Sequence, residues 1–161
     1  DELGGSEFAY FLGEKDKTKY TGKNVPEVNT VANKKLYKKY FKATEKNLIA
    51  SGVALDRGGL MIALMKTLVG GQLGGMINLD RVKGKLGVTE KLFSESKGRI
   101  LVTVAPDKQA SFEKTMKGVS CAQIGVVADT EAMLIMNGKK QMSELPIKKV
   151  TAAYRTKFKK A

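Results

Sequence analysis

The sequence has no histidine and no tryptophan, and it has a single cysteine. Without histidine, the chain cannot form Ser–His or Cys–His nucleophilic pairs or metal sites ligated by imidazole. One cysteine cannot form an internal disulfide or a thiolate zinc site. Carboxylates, lysines and a bound nucleotide are the chemical groups that remain, and we assign no catalytic residue and no metal ligand.

The sequence also has no run of 18 apolar residues, so it predicts no membrane-spanning helix. Its first residues, DELGGSEF, lack the basic and apolar regions of a signal peptide. We interpret Cys121 as a small buried apolar residue, which fits a reducing compartment. These features favour a cytoplasmic protein. Because the chain does not begin with methionine, we expect a piece of a longer polypeptide or a processed product.

Basic residues outnumber acidic ones by 29 to 16, which gives a net charge of +13. Such an excess attracts phosphates, including those of nucleic acids. The lysines are scattered along the chain, and aromatic residues make up only 7% of it, so stacking platforms for bases are scarce. A solvated lysine surface is therefore the favoured interpretation, and a basic nucleic-acid-binding module is the alternative.

Hydrophobic periodicity and turn residues predict the order of the elements. Ser6 is expected to cap a short helix that ends at Gly13, and residues 14–24 are expected to form an exposed loop. A long helix is predicted from Pro26 to near Gly52, a buried helix over residues 60–69, and further helices after residues 88, 105 and 146. Strands are predicted over residues 76–79, 98–105, 122–128, 132–136 and 140–142, the last two joined by an Asn137–Gly138 turn.

This alternation with one hairpin predicts an α/β (α+β) fold, a three-layer α/β/α sandwich with a mixed sheet. A Rossmann unit is not expected, because no G-x-G-x-x-G follows a strand and the Walker pattern is absent. Residues 25–161 are predicted to form a single α/β domain, and residues 1–24 to be a tail with a loop.

Three stretches carry a resemblance to a known family: ELGGSEF (residues 2–8), DRGGLMIALMKTLVGGQLGGMINLD (56–80) and LFSESKGRILVTV (92–104). In order and spacing they resemble the C-terminal domain of the phosphoribosylformylglycinamidine synthases. The glycine-led helix is shared with aminoimidazole ribonucleotide synthetase and related ATP-dependent enzymes. The resemblance therefore implies a PurM C-terminal domain-like fold.

The resemblance also implies a function. The family's complete enzyme is an ATP-dependent C–N ligase of purine biosynthesis, which converts formylglycinamide ribonucleotide to the amidine with ammonia from a glutaminase. ATP or ADP and magnesium would be cofactors of the parent enzyme. The partners of this domain would be the preceding domains of the same polypeptide and a glutaminase subunit. Residues 1–24 would be the tail of the preceding domain. This fragment alone would be inactive and structural, with a candidate auxiliary nucleotide site. A stand-alone ATP-dependent enzyme of the same superfamily is a further alternative.

The sequence departs from the family pattern at residues 53–60, where members often read HDVSDGGL and this chain reads VALDRGGL. Val53 and Ala54 replace the histidine and the first aspartate, and Arg57 replaces the second aspartate. Fewer carboxylates weaken the case for magnesium, which prefers hard oxygen ligands. Arg57 is expected either to receive a phosphate oxygen or to pair with Asp56 or Glu95.

The polar run after Phe93 has two interpretations. Its hydroxyls and its guanidinium suit an anion site that faces the preceding domain. Alternatively, Glu95 and Arg99 pair at i, i+4 spacing while the serines cap a turn. The candidate nucleotide- or phosphate-binding residues are Gly4, Gly5, Ser6, Arg57, Gly58, Gly59, Ser94, Glu95, Ser96 and Arg99.

Overall fold

The computed structural model of the protein describes residues 3–16 and 26–156. The chain has a mixed α/β fold and divides into two compact units. Unit 1 comprises residues 1–63 and 89–121, and unit 2 comprises residues 64–88 and 122–161. The boundary predicted between residues 1–24 and a single domain over 25–161 stays a prediction.

Helix α1, Glu7–Asp16, begins where the sequence predicts it. The Ser6 hydroxyl accepts a hydrogen bond from the Ala9 N–H at 3.1 Å and donates one to the Leu3 carbonyl at 2.6 Å. It therefore caps the helix, as hydroxyl side chains commonly do. The predicted end at Gly13 is wrong, because the helix continues to Asp16. Most of the predicted loop at 14–24 lies outside the described residues.

Helix α2, Thr30–Glu45, is shorter at both ends than the predicted helix from Pro26 to near Gly52. The Asn29 side chain accepts a hydrogen bond from the Ala32 N–H at 2.9 Å and sets the first residue. At the other end Asn47 takes a left-handed conformation with φ 52°, which stops a helix. The chain then forms strand β1, Ser51–Ala54, which the prediction missed.

The rest of unit 1 consists of two helices and a strand that pairs with β1. Helix α4 spans Val88–Phe93, and strand β3, Ile100–Thr103, pairs antiparallel with β1. A 3-10 turn over Pro106–Lys108 leads into α5, Gln109–Met116. The core of this unit is a cluster of buried residues from α2, α5 and the segment before β1. Cys121 is partly buried against it, and the buried members are Ala43, Leu48, Phe112 and Met116.

Helix α3, Gly59–Gly71, begins in unit 1 and continues in unit 2. Its sequence is apolar on nearly all sides, which predicts deep burial. The prediction is confirmed, although the helix extends two residues past the predicted end. Its most buried side chains are each exposed by 4% or less, and they are Leu60, Ala63, Leu64 and Leu68.

The sheet of unit 2 has four strands in the order β4-β2-β5-β6. They are β2 Gly74–Asn78, β4 Gly125–Ala128, β5 Ala132–Asn137 and β6 Lys140–Pro146. β2 and β5 are parallel and the other pairs are antiparallel, so the predicted mixed sheet is confirmed. The predicted hairpin is confirmed, but Asn137 still belongs to β5 and pairs with Lys140, so the turn lies over Gly138 and Lys139. β6 runs farther than predicted.

The two faces of this sheet differ in burial. Ile77, Met133 and Ile135 lie on a buried face, whereas Met76 and Val126 on the other face are 44% and 53% exposed. Helix α6, Ile147–Arg155, follows β6 directly. None of the helices in the described part of the chain has the length and hydropathy needed to cross a bilayer.

Candidate functional site

Glu95 lies at the centre of the region that the sequence marked as a candidate site. It follows α4 in the loop that leads to β3, and only 8% of its surface is exposed. Its Oε1 accepts hydrogen bonds from the backbone N–H groups of Glu7 and Gly58, each at 2.8 Å. Glu7 begins α1, and Gly58 immediately precedes α3. One carboxylate thus bonds to the N-terminal ends of two helices, where negative charge is stabilised.

Two consecutive glycines allow α4 and α3 to approach closely. Gly58 and Gly59 have φ of +81° and +62°. A Cβ on Gly59 would lie 2.5 Å from the Ser94 carbonyl oxygen and 2.8 Å from that of Leu92. Because those atoms belong to the backbone, they cannot move aside cheaply. Only glycine fits here without a shift of the α4–β3 segment, which carries Glu95.

An ion pair borders the carboxylate. The Arg57 guanidinium lies 2.7 Å from Glu7 Oε1, and the two side chains are 80% and 47% exposed. Arg57 therefore pairs with Glu7 instead of the predicted Asp56 or Glu95. The predictions missed Glu7, although an acidic residue directly after the cap of α1 is a signal for such a role. Asp56 pairs with Lys97 at 3.1 Å.

The Arg99 side chain bonds to the backbone of the loop between α4 and β3. Its Nε donates a hydrogen bond to the Ser96 carbonyl at 3.2 Å, and its Nη2 donates one to the Ser94 carbonyl. These bonds close the turn that precedes β3. Gly98 sits in this turn with φ +84°, where a Cβ would collide with the Asn33 side chain of α2.

An aromatic contact supports the same region. The rings of Phe8 in α1 and Phe93 in α4 stack with centroids 4.4 Å apart and planes 11° from parallel. Such pairs add to the free energy gained from apolar burial alone. α1 is thus held to the α4–β3 segment by a ring pair as well as by Glu95.

The structure brings most of the candidate residues together. We call Glu7, Arg57, Gly58, Gly59 and Glu95 the Glu95 cluster, and Ser94 lies against it, 1% exposed. Ser6 adjoins it, but its hydroxyl is engaged as the cap of α1. Gly4 is buried and Gly5 is exposed. Ser96 and Arg99 close the neighbouring turn. That these residues bind a nucleotide or phosphate stays a prediction.

Metal ligands do not gather in this part of the fold. Among residues 3–16 and 26–156, no three acidic, cysteine or histidine side chains come close enough to hold a metal ion together. Glu95 is bonded to backbone N–H groups and Asp56 to Lys97. The donor set present therefore does not fit magnesium.

Known proteins resemble this chain in sequence and in fold. Residues 1–135 match the family described as "AIR synthase related protein, C-terminal domain". The phosphoribosylformylglycinamidine synthase subunit PurL of Caldanaerobacter subterraneus subsp. tengcongensis is 28% identical over 160 residues, covering 98% of this chain and 21% of that protein. The chain therefore spans about a fifth of the length of that relative.

Solved structures support the same assignment of fold. T. maritima PurL complexed with FGAR aligns with a TM-score of 0.72 at 22% identity, over 83% of this chain and 23% of that one. T. maritima PurL complexed with ADP aligns with a TM-score of 0.66, also at 22% identity, over 73% and 21%. The resemblance inferred from the three sequence stretches is thus confirmed. The chain belongs to the AIR synthase related family, as a C-terminal domain of the PurL type.

Proposed function

We propose that this chain is the C-terminal domain of a cytoplasmic phosphoribosylformylglycinamidine synthase, the ATP-dependent C–N ligase of purine biosynthesis, and that its role there is architectural. The family match and the PurL relatives support this assignment. The chain spans only about a fifth of such a relative, so most of the catalytic apparatus would lie in the remaining polypeptide.

The bonding of Glu95 is the observation that carries the architectural role. The backbone N–H groups of Glu7 and Gly58 lie at helix starts, where a phosphate would otherwise be bound well. Here both are bonded to a buried carboxylate from the same chain. An internal anion thus takes the place that an external phosphate would need, and it joins α1, α3 and the α4–β3 segment.

An auxiliary phosphate site is the second candidate function. Arg57 favours it, because its guanidinium is 80% exposed beside the glycine turn and is available for a second interaction. The T. maritima PurL complex with ADP supports a nucleotide in the parent enzyme. A phosphate on this chain would have to bind outside the Glu95 carboxylate or displace it. Magnesium would be held by other parts of the parent enzyme, and a glutaminase would supply ammonia.

The assignment is tested on the complete polypeptide that carries this sequence. We expect it to release ADP from ATP only when formylglycinamide ribonucleotide and ammonia are both supplied. The matched controls omit one substrate at a time. ATP turnover that does not require this ribonucleotide would contradict the assignment and favour another ATP-dependent enzyme of the superfamily.

The two candidate roles of the Glu95 cluster are separated by titrating ADP and inorganic phosphate into the chain in a calorimeter. An architectural role predicts no saturable heat for the wild type or for Arg57→Ala. Saturable binding that Arg57→Ala weakens by about tenfold would establish the phosphate site instead. Glu95→Gln is the matched variant, because it removes the competing charge and retains the shape of the side chain.

A further inference from the structure

Helix α2 carries an unusual concentration of positive charge. Five of its sixteen residues are lysines, and Glu45 is its only acidic residue. Lys34, Lys38 and Lys42 follow one another at i, i+4 spacing, and Lys35 and Lys39 form a second row. Like charges at this spacing repel each other and destabilise a helix. The helix thus bears a repulsion that a negatively charged partner would relieve.

The described part of the chain does not neutralise these lysines. Within residues 3–16 and 26–156, the ion pairs join Arg57 to Glu7, Lys97 to Asp56 and Lys148 to Glu131, and none of them includes an α2 lysine. Lys34, Lys38 and Lys42 are all exposed. Their charge is therefore directed to solvent.

Helix α2 also exposes large apolar side chains next to these lysines. Val31 is 80% exposed and Phe41 is 63% exposed. Together with Lys34 and Lys38 they follow the three-and-four spacing of a single helix face. We call Val31, Lys34, Lys38, Phe41 and Lys42 the basic α2 face.

The core does not require this face. The opposite side of helix α2 packs into the core of unit 1, where Ala43 is fully buried and Leu36 lies against the core cluster. Val31 and Phe41 therefore contribute little to folding, since most of their apolar surface stays in water. Exposed apolar residues surrounded by charge are typical of interaction surfaces.

We infer that the basic α2 face binds an acidic protein surface that has an apolar pocket for Phe41 and Val31. The lysine rows supply charge complementarity to carboxylates, and the two apolar residues supply the buried centre of the contact. The inference rests on the geometry of α2 and does not depend on the proposed function.

The residue types favour a protein over a nucleic acid as the partner. Helix α2 has no arginine, the residue that reads phosphates and base edges with two parallel hydrogen bonds. Val31, the most exposed apolar residue, is aliphatic and has no flat face on which a base can stack, so Phe41 is the single aromatic ring on the basic α2 face, whereas successive bases need several. An apolar pocket on a partner protein would bury Val31, and carboxylates around that pocket would pair with the neighbouring lysines.

The test measures binding of two fluorescent probes to the chain by anisotropy. One probe is a helical peptide with a leucine-lined apolar face that is bordered by glutamates. The other probe is oligouridylate RNA. We expect saturable binding of the peptide that weakens by about tenfold in the triple variant Lys34→Gln, Lys38→Gln, Lys42→Gln. Phe41→Ser should produce a loss of similar size. Glutamine retains helix propensity, and circular dichroism verifies that each variant folds.

A charge-matched control makes the result specific. The triple variant Lys139→Gln, Lys148→Gln, Lys149→Gln removes the same charge from unit 2 and should leave peptide affinity within about twofold. Equal losses in both triple variants, or no saturable peptide binding, would overturn the inference. Tighter binding of the RNA, with the same dependence on the α2 lysines, would identify a nucleic acid as the partner and overturn it too.

Discussion

Unit 1 and unit 2 join segments that are far apart in the sequence by different interactions. In unit 1, Glu95 bonds to backbone groups that lie 88 and 37 positions away. In unit 2, the parallel pairing of β2 with β5 makes the long-range connection, and Ile135 at its centre is fully buried. The first connection depends on one side-chain carboxylate, whereas the second combines backbone hydrogen bonds with apolar packing beneath the sheet, which depends on filled volume.

The difference determines which substitutions each unit tolerates. A carboxylate that satisfies one buried and one partly buried N–H group leaves both unsatisfied when it is truncated, and this costs more than the bonds themselves contribute. An apolar strand residue is sensitive to volume instead, because a cavity remains when methyl groups are removed. The connection around Glu95 should therefore respond to loss of polar atoms, and the sheet of unit 2 to loss of side-chain volume.

The largest expected effect concerns the apolar packing beneath the sheet of unit 2. Ile135→Ala should lower the free energy of unfolding by about 4 kcal/mol, because it opens a cavity beneath the sheet. Urea denaturation measures the change. Met76→Ala is the matched control on the exposed face of the neighbouring strand, and it should cost less than about 1 kcal/mol. Equal costs would contradict the burial difference between the faces.

Removal of the Glu95 carboxylate tests the polar connection in unit 1. Glu95→Ala should cost about 3 kcal/mol, since it leaves two N–H groups without their acceptor. Glu95→Gln keeps one acceptor oxygen and should cost roughly half as much. Hydrogen exchange should show faster exchange at Glu7 and Gly58 in both variants. If the exposed control Glu45→Ala were equally destabilising, Glu95 would have no special role.

The glycine turn at residues 58 and 59 tests whether unit 1 also depends on the close approach of α3 to the α4–β3 segment. Gly59→Ala should cost about 2 kcal/mol, because its Cβ would press on the backbone carbonyls of Ser94 and Leu92. Gly5→Ala is a suitable control, because Gly5 also has positive φ but has open space around it. It should cost about 1 kcal/mol, the strain of the left-handed conformation alone. Thermal unfolding of the two variants separates the close approach from backbone strain.

The Arg57–Glu7 ion pair should matter much less than the carboxylate beside it. Arg57→Ala should change the free energy of unfolding by about 0.5 kcal/mol or less, because Arg57 is largely exposed. The difference from wild type should shrink further in high salt. A loss as large as that in Glu95→Ala would show that the ion pair, and not the buried carboxylate, holds α1.

The smallest effect concerns the exposed end of α1. The Glu14 carboxylate accepts a hydrogen bond from the Tyr10 hydroxyl at 2.6 Å, and this bond raises the pKa of Tyr10. Any stabilisation from it is present below the pKa of the unfolded state and is lost as the pH rises through the higher folded value. Glu14→Gln should lower the pKa of Tyr10 in an ultraviolet titration, with Tyr10→Phe identifying its signal.

Elements with strong local signals were predictable from sequence. Helix α3 has an apolar run ended by glycines, and the hairpin signal Asn137–Gly138 has residues that accept positive φ. Strand β1 was missed because four residues carry little periodicity, and because β1 is stabilised by pairing with β3, some fifty positions later. Asn47 was the available signal, since asparagine often ends a helix in the left-handed conformation.

The sequence singled out the candidate residues, but it did not predict their bonding. What the sequence alone determined is the set of candidates, Ser6, the glycine pair at 58 and 59 and the polar run at 94–99, because short-range turn and cap chemistry and the family resemblance both depend on residue order. That these residues bind a phosphate stays a prediction. Only the tertiary structure decided that Glu95 bonds to Glu7 and Gly58 and that Arg57 pairs with Glu7. The physical reason is that a carboxylate accepts any well-placed donor, and the fold determines which donors come within about 3 Å of it.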